Sequence, residues 1–347
     1  MKDRVVISID AMGGDSAPRT VIEGVKLAAD KHDDVFFLLF GDERQIAPLA
    51  KEIGLNDDSY KIYHTDQVIK PDEKPSQAVR YGRESSMWKA IYAVRTGEAS
   101  AVVSGGNTGA LMAMSKICLG TIAGLDRPAI AAFMPTSIPN QDVVMLDMGA
   151  NAECNATNLV EFAIMGSVYY RILYGVKQPS VGLLNIGSEE TKGREEIREA
   201  AYILRENKRK VNYVGFVEGN DIGAGTSHVV VSDGFSGNVA LKSIEGTARL
   251  IKTATKDIVK HSLLAKIGFI FMIPALLKIK KRMDPRRYNG AMFLGLNGVS
   301  VKSHGGADAI GYCYALENAI SLAQHDLCEK IKQELEDIIL SPETDSE

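Results

Sequence analysis

Read for apolar and polar positions, the chain alternates short apolar runs with amphipathic stretches. Val5–Ile9, Val35–Phe40, Lys61–His64, Ala101–Val103 and Ala129–Met134 are runs of the first kind, followed by Val143–Leu146, Val181–Leu184, Val211–Val217 and His228–Val231. Short, β-branched runs of this sort predict strands, most of them buried on both faces. Between them, Val21, Val25, Leu27 and Ala28 recur at helical spacing, as do Ile46, Leu49 and Ile53. Pro18 suits the first turn of the earlier helix, with Asp15 or Ser16 as its cap. Thr65–Pro75 reads as a loop, and Ser76 as the cap of one long helix through Met87, Ala90, Ile91 and Val94. Further helices are predicted from Asn158 to about Tyr174, up to Lys208, and from the region of Asn238 onward. One final helix buries Leu316, Ala319, Ile320, Ala323, Leu327, Ile331, Leu335 and Ile338.

Strands that alternate with helices predict an α/β fold: three α/β/α layers around a mostly parallel, Rossmann-like sheet. The expected organisation is one catalytic domain over 1–262 and 284–340. A protruding helical segment at 263–283 interrupts it, and 341–347 form a polar tail.

Glycine-bearing turns follow the strands. They read Asp10-Ala-Met-Gly13-Gly14-Asp15, Ser104-Gly-Gly106-Asn107-Thr108-Gly109, Asp147-Met-Gly-Ala-Asn151, Asn185 to Gly193, and Asp233-Gly234-Phe-Ser-Gly237-Asn238. Glycine lets backbone N–H groups approach a ligand, and a helix start leaves several of them unpaired. Such turns are anion cradles, although a single one is equally a tight turn with an Asn or Thr cap. In a parallel sheet the loops after the strands share one edge, where ligands of open α/β sheets bind. The expectation is therefore that all five turns meet on one rim.

The side chains there are hydrogen-bond donors with few nucleophiles, which suits a small oxyanion. Lys192 neutralises a phosphate or is a solvated lysine at a helix start. Asn238 caps its helix or polarises a carbonyl, and Asp233 binds a ligand or closes its turn. His304, in Ser303-His-Gly-Gly306, is a packing residue or a proton carrier. Ser236 is not in a G-x-S-x-G elbow, which disfavours a serine hydrolase. No G-x-G-x-x-G fingerprint, P-loop or H-E-x-x-H is present, so neither a nicotinamide cofactor nor a metal is expected.

The net charge of -4 and pI near 6.0 argue against nucleic acid as a partner. Four cysteines without C-x-x-C spacing, and an N-terminus without a leader pattern, suggest a reduced, cytoplasmic setting. Leu263–Arg287 is distinctive. Ile267, Phe269, Phe271 and Leu276 lie in an apolar stretch too short to span a bilayer, and Lys280 and Lys281 belong to the basic run that starts at Lys278. The favoured reading is an apolar tip laid on an anionic membrane. A buried hairpin or dimer helix, or docking to an acidic protein, are the alternatives.

The turns above, with Leu184–Gly193, Leu241-Lys-Ser-Ile-Glu-Gly246 and Ser303-His-Gly305, occur in an order that resembles the PlsX family, the acyl-ACP:phosphate acyltransferases of bacterial phospholipid synthesis. That resemblance implies transfer of an acyl group from acyl carrier protein to inorganic phosphate, with no cofactor. It implies a homodimer related in fold to phosphotransacetylases and isocitrate dehydrogenases. It also implies peripheral membrane association and delivery of acyl-phosphate to a membrane glycerol-3-phosphate acyltransferase. Phosphate would be the nucleophile, held by Lys192 and glycine-loop N–H groups. Asn238 with Thr108 would bond the thioester oxygen, and Asp233 and His304 would serve positioning or proton traffic. A phosphotransacetylase-like enzyme using acyl-CoA, a membrane-bound scaffold without activity, and a dehydrogenase are the competing readings.

Overall fold

A computed structural model describes residues 4–207, 210–261, 266, 268–269, 271–274, 277 and 284–339. Its centre is an 11-stranded sheet. In chain order the strands are β1 (Val5–Asp10), β2 (Val35–Gly41), β3 (Tyr60–His64), β4 (Ala101–Ser104), β5 (Ala129–Pro135), β6 (Asp142–Leu146), β7 (Ser180–Leu184), β8 (Asn212–Val217), β9 (Val229–Val231), β10 (Ala291–Leu294) and β11 (Val299–Lys302). Their spatial order is β3-β2-β1-β4-β11-β10-β5-β6-β9-β7-β8.

The helices are α1 (Arg19–Ala29), α2 (Glu43–Ile53), α3 (Pro75–Tyr81), α4 (Ser86–Arg95), α5 (Thr108–Leu119), α6 (Ala156–Tyr174), α7 (Glu195–Glu206), α8 (Gly219–Ala224), α9 (Gly234–His261), α10 (Ala309–Gln324) and α11 (Leu327–Ile339). The alternation of strand side chains sorts them into two outer layers. Ile7, Ile9, Phe37, Leu39, Ala101 and Val103 face a core shared with α1, α2, α6, α7, α10 and α11. Leu38, Phe40 and Val102 face the opposite core, under α3, α4 and α5. Met145, Val217 and Val230 face a smaller core shared with α8 and α9. The expected three-layer α/β/α architecture is present.

Three local expectations are corrected. The helix foreseen from Ser76 is two helices, α3 and α4, divided at Gly82, with the Ser85 side chain capping the second. The final helix is likewise two, because Asp326 adopts a φ of 50° that no α-helix carries. At α1 neither Asp15 nor Ser16 caps: Pro18 occupies the cap position and no side chain bonds the helix start. The glycine-rich stretch 289–306, to which the apolar pattern assigns no element, contains the hairpin β10–β11.

The sheet also changes direction. β3, β2, β1, β4 and β11 are mutually parallel. β10 is antiparallel to both β11 and β5, and β5 is antiparallel to β6. β9, β7 and β8 then follow β6 in parallel. The two halves of the sheet thus run in opposite senses.

Candidate active site

The reversal divides the turns into two clusters on opposite rims of the sheet, each at the C-terminal ends of its own strands, and the expectation of a single rim is not met within one chain. The physical reason is the antiparallel β5–β6 pair: strands beyond it present their C-terminal ends the other way. Among the described residues, no hydrogen bond joins the clusters.

The first cluster sits at the ends of β1, β4 and β11. Asp10 is buried there, and its carboxylate accepts from Ser86 Oγ (2.6 Å) and Ser104 Oγ (2.7 Å). Burial pushes this carboxyl up despite those donors. Gly106 N–H donates back to Ser104 Oγ at 3.0 Å. The loops pack so closely that a Cβ on Gly13 would lie 2.7 Å from Gly106 N and 2.9 Å from Ser104 Oγ. Asp15 N–H donates to the Gly305 carbonyl at 2.9 Å, and Gly14 takes a φ of +127°. Asn107 is engaged within the protein: its oxygen caps α5 through Ala110 N–H (3.0 Å), and its amide donates to Pro71 (2.9 Å) and Glu73 (2.8 Å) carbonyls. Thr108 is exposed. His304 is exposed too, and its Nδ1 accepts from Gly306 N–H at 3.0 Å, which leaves the proton on Nε2.

Lys302 completes this cluster and was not foreseen. Its ammonium donates to the Gly105 carbonyl at 3.3 Å and to the Ser303 carbonyl. Burial pushes it down to about 8, against the pull of Asp10 and Asp15. The available signal was its place directly before Ser303-His-Gly.

The second cluster is built on Asp147, which is wholly buried after β6. Its Oδ1 accepts from the N–H groups of Ile130 (2.9 Å), Gly149 (3.2 Å) and Ala150 (3.1 Å). Oδ2 accepts from Asn151 N–H (2.6 Å) and Asn151 Nδ2 (2.9 Å). Burial still pushes the carboxyl upward. Asn151 also donates to Pro128 O (2.9 Å), and its carbonyl accepts Gly234 N–H at 2.7 Å, tying the turn after β9 to the turn after β6. Gly237 is pressed on the same point, where a Cβ would collide with the Asp147 carbonyl. Asn185 closes its own loop, accepting from Ile186 N–H (2.9 Å) and donating to Lys192 O (3.1 Å).

Asp233, not Asn238, caps α9: its Oδ1 accepts Ser236 N–H at 2.6 Å. Its other oxygen is ion-paired with Arg194, a cation not foreseen although it directly follows Lys192-Gly193. Lys192 and Asn238 are both exposed, and among the described residues neither side chain has a hydrogen-bond partner. Asn238 lies against Gly149, where an added Cβ would come within 3.6 Å of the asparagine Cβ. The structure therefore brings Lys192 and Asn238 into one cluster and leaves both heads available.

Among the described residues, Asp42, His64 and Asp66 hold possible metal-ligand atoms within 4.8 Å of one another. Arg44 already serves them as the cation, pairing with Asp42 at 2.9 Å and Asp66 at 2.6 Å. Of the residues expected to touch a membrane, Ile267, Leu276, Lys280 and Lys281 lie outside the described residues. Phe269 is half-buried, and Phe271 is 82% exposed in a helical stretch with Met272 and Ile273. Among the described residues, no helix is long and apolar enough to cross a membrane.

Residues 5–330 match the family model described as "Fatty acid synthesis protein". The chain is 52% identical to a phosphate acyltransferase of Rhodospirillum rubrum over 99% of its own length and 98% of that protein's. It is 51% identical to one of Paramagnetospirillum magneticum, covering 97% and 95%. Among solved structures, a phosphotransacetylase from Streptococcus pyogenes superposes with a TM-score of 0.63 at 16% identity, covering 94% of this chain and 95% of that one. A branched-chain phosphotransacylase from Enterococcus faecalis gives 0.58 at 14%, covering 92% and 99%. At such identities the structural likeness speaks for the fold.

Proposed function

Because the chain belongs to the PlsX family of fatty acid synthesis proteins, we propose that it transfers a fatty acyl group from acyl-[acyl carrier protein] to inorganic phosphate. The products are acyl-phosphate and free carrier protein. A phosphate oxygen attacks the thioester carbon, the C–S bond breaks, and the thiol leaves with the proton that phosphate gives up. The observation that carries this reading is the pair Lys192 and Asn238, two unpartnered donors, the first on the loop closed by Asn185 and the second on the turn packed against Asp147. Lys192 offers a point charge to phosphate, and Asn238 a hydrogen bond to the carbonyl oxygen as it gains charge. Asp233 positions Arg194 beside them. His304 Nε2–H carries protons at the first cluster.

The two clusters act together, on this reading, across a homodimer, with Asn238 of one copy working beside Thr108 of the other. Support comes from α9. It is 28 residues long, yet only Gly234 and Gly237 are buried in it. Leu241, Ile244, Ala248, Ile251, Thr255 and Ile258 repeat along it at alternating spacings of three and four, the seam of a helix that packs on another. Ile251 and Ile258 are 62% and 65% exposed in the single chain, so a second copy is the natural cover.

The assay is incubation with labelled phosphate and either acyl-[acyl carrier protein] or acyl-CoA. Labile acyl-phosphate is expected with the carrier protein as the better donor. A preference for acyl-CoA would overturn the donor assignment, and no acyl-phosphate with either would overturn the reaction. The product is an apolar chain on a reactive anhydride, which fits an enzyme peripheral to the inner face of the cell membrane that hands over to a membrane glycerol-3-phosphate acyltransferase. The exposed Phe271 supports that setting. In flotation with anionic vesicles, wild type is expected to rise and Phe269→Glu/Phe271→Glu to remain below; equal flotation removes the membrane contact.

A further inference from the structure

The corner between α3 and α4 carries groups that the proposed reaction leaves unused. It borders the first cluster at both of its helices. Ser86, the first residue of α4, donates to the Asp10 carboxylate at 2.6 Å. Pro75, the first residue of α3, lies beside Gly109, where an added Cβ would come within 2.8 Å of the proline ring. The corner is braced from within: Gln67 Nε2 donates to the Tyr81 carbonyl at 2.8 Å, and Ser85 Oγ accepts Trp88 N–H at 3.2 Å.

Its outer surface is arginine laid on aromatic rings. The Arg80 guanidinium lies 5.3 Å from the centre of the Tyr81 ring, and that of Arg83 lies 5.6 Å from the Trp88 ring. Tyr81 is 63% exposed, and Tyr92, one turn beyond Trp88, is 49% exposed. Both arginines are exposed, and among the described residues neither has a carboxylate partner. The one acid between positions 80 and 95, Glu84, is paired with Lys89 at 3.0 Å. A positive island thus stands on a chain whose net charge is -4. A guanidinium stacked on a ring is already held in place, while its N–H edge stays free for a carboxylate. Such a fork binds a carboxylate through two parallel hydrogen bonds, and little ordering cost remains to be met when the partner arrives. Arginine, tyrosine and tryptophan are also the residue types that dominate protein–protein contacts. The partner these groups fit is a protein with a carboxylate-rich face.

The proposed reaction brings one protein to this chain in every turnover, the carrier of the acyl donor, and acyl carrier proteins are acidic. We propose that the α3–α4 corner docks the acidic face of the acyl carrier protein, with Arg80 and Arg83 pairing with its carboxylates and Tyr81 and Tyr92 covering its apolar side chains. The thioester is then delivered at the rim of the first cluster. The assignment rests on the proposed donor and adds the surface that its protein occupies.

Trp88 is the only tryptophan of the chain, so its emission reports on this corner alone. The test is titration of the full chain with a tryptophan-free carrier protein in its apo form, which lacks the arm and the thioester, followed by calorimetry and by Trp88 fluorescence. Wild type should bind saturably with a change in emission, and more weakly as salt rises. Arg80→Glu/Arg83→Glu should lose roughly tenfold or more in affinity at unchanged Tm, and Arg80→Gln/Arg83→Gln should lose less in the same direction. In turnover, the KM for acyl-[acyl carrier protein] should rise by a similar factor, with kcat and the KM for phosphate unchanged. No binding by wild type overturns the assignment. So does binding that leaves Trp88 emission unchanged and survives the charge reversal. Binding of anionic vesicles in place of the carrier, lost in the same variants, gives the corner to a membrane and overturns it too. The apo carrier cannot react, so a chain that makes no acyl-phosphate still shows whether the corner docks it.

Discussion

Asn238→Ala is expected to lower acyl-phosphate formation by about 100- to 1000-fold, the usual cost of one lost oxyanion donor. The side chain is exposed and makes no hydrogen bond among the described residues, so thermal stability should hardly change. That contrast separates a chemical role from a structural one. A variant that keeps near-normal turnover removes Asn238 from the mechanism. The proposed pairing adds a second reading. Lys302→Met, which disables the first cluster, is expected to be inactive as well. Mixing and re-pairing the two inactive variants should restore about a quarter of wild-type activity, because half the pairs are mixed and each mixed pair holds one intact site. No recovery would mean that each chain works alone.

Asp147→Ala carries the largest expected effect on stability. The carboxylate is wholly buried and accepts four backbone N–H groups and the Asn151 amide. Removing it strands those donors in a dry interior, where each costs roughly 1–3 kcal/mol if it finds no new partner. Partial relaxation and water entry reduce the sum, and a net loss on the order of 4 kcal/mol is expected. Calorimetry should show a fall in Tm of several degrees, with turnover lost because the turn carrying Asn238, packed against Asp147, no longer holds. A Tm within one degree of wild type would contradict this account of Asp147.

Much of the fold was legible because the apolar runs are short and their flanking turns glycine-marked. The strands β1, β2, β4, β6 and β7 sit where their runs of Val, Ile and Leu put them. The hairpin β10–β11 was hidden because Gly290, Gly295 and Gly298 surround it, and glycine density reads as loop. The break at Asp326 was hidden because the apolar spacing continues straight through it from Leu316 to Leu335. Direction was the larger omission. Strand–turn–helix units look the same in both halves, and only the pairing of Ala132–Pro135 against Asp142–Met145 shows that the sheet turns over. Pairing is a non-local fact, which periodicity does not record.

The same limit applied at the site. Lys192 and Asn238 were visible as polar residues in glycine turns. Lys302 and Arg194 were not, since their meaning comes from what faces them: a buried Asp10 in one case and a buried Asp233 in the other. Asn107 was the converse case. It looks like a ligand-binding residue, yet the structure commits its amide N–H groups to the Pro71 and Glu73 carbonyls and its oxygen to the Ala110 N–H.

The turnover of the sheet at β5–β6 has a consequence for supply. Under the proposed pairing, a newly synthesised chain carries two unfinished halves of a reaction centre and is silent until it meets another. Output then climbs more steeply than expression at low copy number, and dilution shuts the enzyme down without any inhibitor.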